Sequence, residues 1–185
     1  MKATRLAIPD VVMLEPQMFS DQRGAFFESF NARSFADLVG YLPEFVQDNH
    51  SISARGVLRG LHFQLPPLAQ GKLVRVVRGE AFDVAVDIRP GSPSFGRWVA
   101  EMLSADNRRQ LWIPEGFAHG FMALRDDTEF LYKTTRFYDP ASERCIAWND
   151  PTVAVRWPEG LAPQLSPKDE QGRSLRALFP AYEPV

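Results

Sequence analysis

Residues 72–88 leave this chain the least freedom in choosing a fold. Lys72-Leu-Val-Arg-Val-Val-Arg78 and Ala81-Phe-Asp-Val-Ala-Val-Asp-Ile88 are rich in β-branched residues, and Gly79-Glu80 separates them. In the second run Phe82, Val84, Val86 and Ile88 fall on one face, and Asp83, Ala85 and Asp87 on the other. That is the two-residue period of a strand, and the two runs together are expected to form a hairpin. Shorter β-like runs lie at residues 11–15, 25–30, 45–53, 98–103, 110–113, 117–124, 128–135 and 144–148. Turn signals fall at 21–24, 54–56, 106–109 and 125–127, with a longer loop at 89–96. Fifteen prolines spread along the chain disfavour long helices. Two short helices are expected. One spans 32–39, capped by Asn31 and ended by Gly40; the other starts at Pro167 with Ser166 as its cap. Many short strands with frequent turns predict an all-β antiparallel sandwich or barrel.

At 185 residues the chain is expected to be one domain, 1–185. N-terminal strands would occupy 1–50, the barrel core 51–150 and an irregular segment 151–185. A net charge of -2 with mixed signs gives no reason to expect a nucleic-acid partner. No apolar run of about 18 residues suggests a membrane helix. The first residues, Met1 to Pro9, lack the apolar stretch of a signal peptide. With the single cysteine, Cys145, this suggests a cytoplasmic protein. Cys145 itself reads as a buried or incidental thiol on a strand.

Two strings narrow the barrel to one type. Gly56-Val-Leu-Arg-Gly-Leu-His-Phe-Gln64, followed by Lys72 and Gly79, has the spacing of the first half of a cupin metal-binding motif. Pro114-Glu-Gly-Phe-Ala-His119 fits the second half, Pro-x-Gly-x-x-His. Either half alone is weak; both in order point to a cupin jelly-roll. The metal chemistry is nevertheless missing. Gln64 stands where the second His would be, and Lys72 replaces the carboxylate. An ammonium there repels a cation and favours an oxyanion, so no metal and no cofactor are expected.

His62 suits proton transfer at neutral pH, although a His among apolar residues is often a packed core group. As a base it needs an acceptor for its second nitrogen, and Asp83, Asp87 and Asp169 are all candidates that spacing does not separate. Lys72, unless it simply points to water, would stabilise an enolate oxygen. Tyr132, unless it is a packed core ring, would donate a proton from the side opposite His62. His119 is expected to hydrogen-bond a substrate or orient another group. Arg23, Phe26, Phe27, Glu28, Gln47, Asp48 and Asn49 form a cluster in which Arg is suited to phosphate and Phe to a base. Taken alone, each is more often surface charge or core packing.

With these residues in view, the chain resembles the dTDP-4-dehydrorhamnose 3,5-epimerase family. The resemblance rests on Arg23-Gly24 with Phe27-Glu28, Gln47-Asp-Asn49, the strings around His62 and His119, Gly71-Lys72, Gly79, Phe82-Asp-Val, Val86-Asp-Ile-Arg89, Gly91-Ser-Pro-Ser-Phe-Gly96 and Tyr132-Lys133. It spans about residues 2–180. It implies a metal-free, homodimeric cupin acting on dTDP-4-dehydro-6-deoxy-D-glucose. By position it implies His62 as base, Asp169 as its carboxylate partner, Lys72 near the C4 oxygen and Tyr132 as acid. Arg23, Glu28, Gln47, Asn49, Arg59, His119, Glu143 and Lys168 would contact the nucleotide sugar, with Phe19, Phe26 and Tyr138 as walls of the base pocket. It also implies that the N-terminal segment crosses to the partner subunit, so that Arg23 and Glu28 serve the neighbour's pocket. Three other readings compete: an epimerase inverting C3 alone, a non-catalytic nucleotide-sugar-binding cupin, and a metal-dependent dioxygenase. Gln64 and Lys72 are poor ligands for the last.

Overall fold

A computed structural model describes residues 1–182. Two antiparallel sheets face each other. The first has six strands, ordered β1 (Lys2–Arg5), β2 (Val12–Glu15), β10 (Gln110–Ile113), β7 (Lys72–Arg78), β12 (Thr128–Thr134) and β5 (Gln47–Ser53). The second has five: β13 (Glu143–Cys145), β6 (Leu58–Gln64), β11 (Phe117–Ala123), β8 (Glu80–Asp87) and β9 (Trp98–Ser104). A small hairpin, β3 (Phe19–Asp21) with β4 (Gly24–Phe26), forms a third sheet.

Three apolar clusters explain the layering. Between the sheets, Val74, Val76, Leu111 and Phe130 from the first pack against Ala81, Ala85, Leu103, Phe117 and Phe121 from the second. The Phe121 and Phe130 rings stack across this interior with centroids 4.0 Å apart. The outer face of the five-stranded sheet, with Leu61, Val84, Val86 and Ile146, lies under Leu175, Trp157 and Phe179 of the C-terminal segment. The outer face of the six-stranded sheet, with Leu14, Leu73 and Trp112, lies under Phe35 and Val39 of helix α1 (Ala32–Val39). Both faces of β8 are therefore buried: its Val/Phe face outward under the C-terminal cover, its Ala/Asp face inward.

Helix α1 begins and ends where its caps dictate. The Asn31 side chain accepts from the Arg33 and Ser34 amides, and Gly40 closes the helix at φ 100°. The expected hairpin at 72–88 does not form. β7 pairs with β10 and β12, whereas β8 pairs with β11 and β9, so the chain crosses between sheets at Gly79. Alternation identifies strands and faces but not partners; here β7 pairs with the distant β10 and β12, and β8 with the next strand, β9, and the more distant β11. The strand expected over 25–30 stops at Phe26. The 151–185 segment, apart from its last three residues, which lie outside the described ones, contains α2 (Pro167–Glu170) and α3 (Leu175–Leu178).

Candidate active site

A cavity of about 470 Å³ opens between the two sheets. Its lining includes His62, Lys72, Tyr132 and Asp169, with Gln47, Asn49, Arg59, His119, Tyr138, Glu143 and Lys168. His62 and His119 lie directly opposite each other on the paired strands β6 and β11. Tyr132 and Lys72 come from the facing sheet, on β12 and β7.

The register of β6 on β11 slips between His119 and Phe121, and Gly60 permits the slip. Its φ is +123°, and a Cβ there would lie 2.6 Å from the Gly120 Cα. The Gly60 N–H donates to Asp169 Oδ1 at 3.1 Å. Asp169 reaches the strand from α2, where Ser166 caps the helix and its hydroxyl also donates to Asp169 Oδ2 at 2.6 Å. His62 Nε2 lies 2.7 Å from Asp169 Oδ1. Burial alone would raise the Asp169 carboxyl. The His62, Ser166 and Gly60 donors outweigh it and hold the group at about 2. Of the three acceptors open to His62, Asp169 is the one beside it. Asp87 binds Arg89, Ser92 and Ser94, and Asp83 binds His119.

Cys145 pairs with His62 in register on β13. Its thiol, His62 and Asp169 have their donor atoms within 4.8 Å of one another. Burial and the Asp169 charge push the thiol up to about 12, so it stays protonated near neutral pH.

Lys72 is 7% exposed, and its Nζ donates to the His62 carbonyl at 3.4 Å. Burial brings its ammonium down to about 8 against the pull of Glu143 and Asp83. Deeper still, His119 Nε2 and Asp83 Oδ2 are 2.8 Å apart, both residues buried. Burial lowers the imidazole and raises the carboxyl. At the positions where a cupin metal would find ligands, Lys72 is a cation and Gln64 spends its amide on backbone groups. That donor set does not suit a metal.

At the pocket mouth the Tyr138 hydroxyl donates to Glu143 Oε2 at 2.8 Å, and Lys168 Nζ lies 2.5 Å from the same oxygen. Gln47 Nε2 donates to Asn49 Oδ1, and Arg59 Nε donates to the Ser53 hydroxyl. Burial raises the Tyr132 hydroxyl, keeping it a proton donor at neutral pH.

Of the early cluster, Gln47 and Asn49 line the pocket, whereas Arg23, Phe26, Phe27, Glu28 and Asp48 do not. Arg23 sits at the β3–β4 turn and binds Asp21, and Glu28 accepts from Asn31. Phe19 and Phe26 are 56% and 67% exposed. Sequence reasoning missed Ser51, Phe63, Gln70 and Phe121 as pocket residues, and named Ser166 only as a helix cap. Period-two alternation was the signal available for two of them: Ser51 follows Gln47 and Asn49 on β5, and Phe121 follows His119 on β11.

A family model described as dTDP-4-dehydrorhamnose 3,5-epimerase matches residues 5–177. The dTDP-4-dehydrorhamnose 3,5-epimerase of Pseudomonas aeruginosa is 63% identical over 175 residues, 95% of this chain and 96% of that one. The crystal structure of dTDP-6-deoxy-D-glucose-3,5-epimerase from Legionella pneumophila, in complex with dTDP-4-keto-L-rhamnose, is 49% identical with a TM-score of 0.93, covering 99% of this chain and 97% of that chain. A 4-keto-6-deoxy sugar epimerase from the novobiocin biosynthetic gene cluster of Streptomyces spheroides is 39% identical with a TM-score of 0.93, covering 98% and 90%. With its cupin-type barrel, its pocket and these relatives, the chain belongs to the dTDP-4-dehydrorhamnose 3,5-epimerase family.

Proposed function

We propose that the protein inverts C3 and C5 of dTDP-4-dehydro-6-deoxy-D-glucose to give dTDP-4-dehydro-L-rhamnose, with His62 as base and Tyr132 as acid. One observation carries this reading: His62 and Tyr132 come from facing sheets and line the same pocket, and Lys72 is at its wall. Inversion of a carbon beside a ketone needs that arrangement. His62 takes the proton from C3 or C5 on one face. The C–H electrons form a C=C bond to C4, and the C4 carbonyl becomes an enolate. Lys72 supplies positive charge to that oxygen, and Asp169 balances the imidazolium. Tyr132 then protonates the carbon from the other face. Each proton-transfer group is expected to contribute roughly 10²–10⁴ in rate, and the charge at the oxyanion roughly 10²–10³.

Gln47, Asn49, Arg59, His119, Tyr138, Glu143 and Lys168 would hold the nucleotide sugar. The exposed β3–β4 hairpin, with Phe19, Arg23 and Phe26, together with Glu28, would reach the pocket of a second subunit in a homodimer. The whole chain would act as one domain in the cytoplasm. Proton NMR of the substrate in D₂O tests the reading. Deuterium at both C3 and C5, followed by reduction to dTDP-L-rhamnose when a partner reductase and NADPH are added, is the expected result. Exchange at C3 alone would make it a mono-epimerase. No exchange at either carbon, with dTDP bound, would make it a binding protein.

A further inference from the structure

We propose that Gln64 is a positioning residue that holds the 136–139 loop, and with it Tyr138, at the mouth of the pocket. The proposal deepens the epimerase reading and rests on it.

Gln64 lies two residues beyond His62 on β6, so both side chains share a face. It is 4% exposed, and its hydrogen bonds all go to backbone. Nε2 donates to the Leu68 carbonyl at 2.7 Å and to the Phe137 carbonyl at 3.2 Å. Oε1 accepts from the Asp139 amide at 2.8 Å. One amide thus grips the loop on both sides of Tyr138. Two other glutamines act on the same loop: Gln47 Oε1 accepts from the Tyr138 amide at 3.0 Å, and Gln70 Nε2 donates to the Arg136 carbonyl at 2.8 Å.

Polar contacts rather than apolar packing order this loop; Thr134 Oγ1 donates to the Arg136 carbonyl and the Ser142 amide to Asp139 Oδ2. Phe137 and Tyr138 are 68% and 51% exposed, so apolar burial does not fix its path. Yet Tyr138 must be in place for its hydroxyl to meet Glu143, which also holds Lys168. Gln64 therefore does a different job at the position where a metal cupin carries its second histidine. Its amide builds the rim of the substrate pocket. Of the three glutamines it is the buried one, and losing it leaves the part-buried backbone groups of Leu68, Phe137 and Asp139 without these partners.

Gln64→Met keeps the length of the side chain and removes its hydrogen bonds. In the unliganded variant, the Tyr138 and Asp139 amides are expected to exchange hydrogen at least about tenfold faster, while amides of β6 and β11 keep their protection. In turnover, KM is expected to rise about tenfold, because the substrate must now order the loop, with kcat changed less than about threefold. Unchanged loop exchange overturns the proposal. So does faster exchange with an unchanged KM, which would make Gln64 merely structural. If Gln64→Met does not fold, Gln64→Glu keeps the acceptor for Asp139 and loses both donors, and the same outcomes apply. Failure of the epimerase reading looks different. The wild-type protein would then turn nothing over and the positioning role would fall with it, while the exchange measurement would still report the pinning.

Discussion

A buried ammonium is costly, and Lys72 accepts that cost where a positive charge is useful. With its pKa brought down to about 8, the lysine is charged at neutral pH and loses its charge as pH rises through that value. Turnover is therefore expected to fall about tenfold per pH unit above pH 8. Lys72→Arg, which stays charged, should be slower but lack that limb. A pH–rate profile flat to pH 9.5 in the wild-type enzyme would contradict the role. Asp169 acts on stability in the opposite range. Its folded value of about 2 lies below the ordinary 3.8, so its contribution is fully present above pH 3.8 and is lost as pH falls toward 2. The shift amounts to about 2 kcal/mol. Urea unfolding should show Asp169→Asn less stable than wild type by about that amount at pH 6, with the gap closing between pH 4 and pH 2. The chain's own pattern named His62 but left Asp83, Asp87 and Asp169 open as its partner. The choice depends on α2 folding back onto β6, a contact no local spacing encodes; the family resemblance selected Asp169.

Strand β6 shows what a single backbone position can decide. Gly60 adopts φ +123° against Gly120, supplies an N–H to Asp169 and precedes His62 by two residues. Gly60→Ala is expected to cost more than about 2 kcal/mol, by backbone strain and by the clash with Gly120. A fall in melting temperature, with loss of activity even below the transition, checks this; a variant as stable and active as wild type would refute it. Local chemistry was legible in other elements. Asn31 and Gly40 bound α1, and Ser166 with Pro167 starts α2, because caps act through neighbouring amides. Strand pairing was not legible. The 72–88 runs were correctly strands but joined different sheets, since a turn residue such as Gly79 serves a hairpin and a crossover alike.

The cupin class could be read from two motif halves and many short strands, and the two facing sheets agree with it. The covered outer face of the five-stranded sheet was less visible, because the proline-punctuated C-terminal segment carries no strong period. The early cluster of Arg23, Phe26 and Glu28 lies outside the chain's own pocket, as a segment serving a second subunit would. Co-assembly tests that arrangement. Neither Arg23→Ala nor His62→Ala homodimers should be active. A mixed population should recover roughly a quarter of wild-type activity, because each heterodimer then holds one intact site. If Arg23 serves its own chain, mixing restores nothing.

The division of labour between His62 and Tyr132 is the central claim, and Tyr132→Phe tests it most directly. His62 can still remove a proton and return solvent deuterium to the same face, whereas nothing protonates the opposite one. Proton NMR in D₂O should therefore show deuterium entering the substrate at C3 and C5 with configuration retained, and no dTDP-4-dehydro-L-rhamnose formed. Inversion at C3 and C5 at near wild-type rates in that variant would contradict the account.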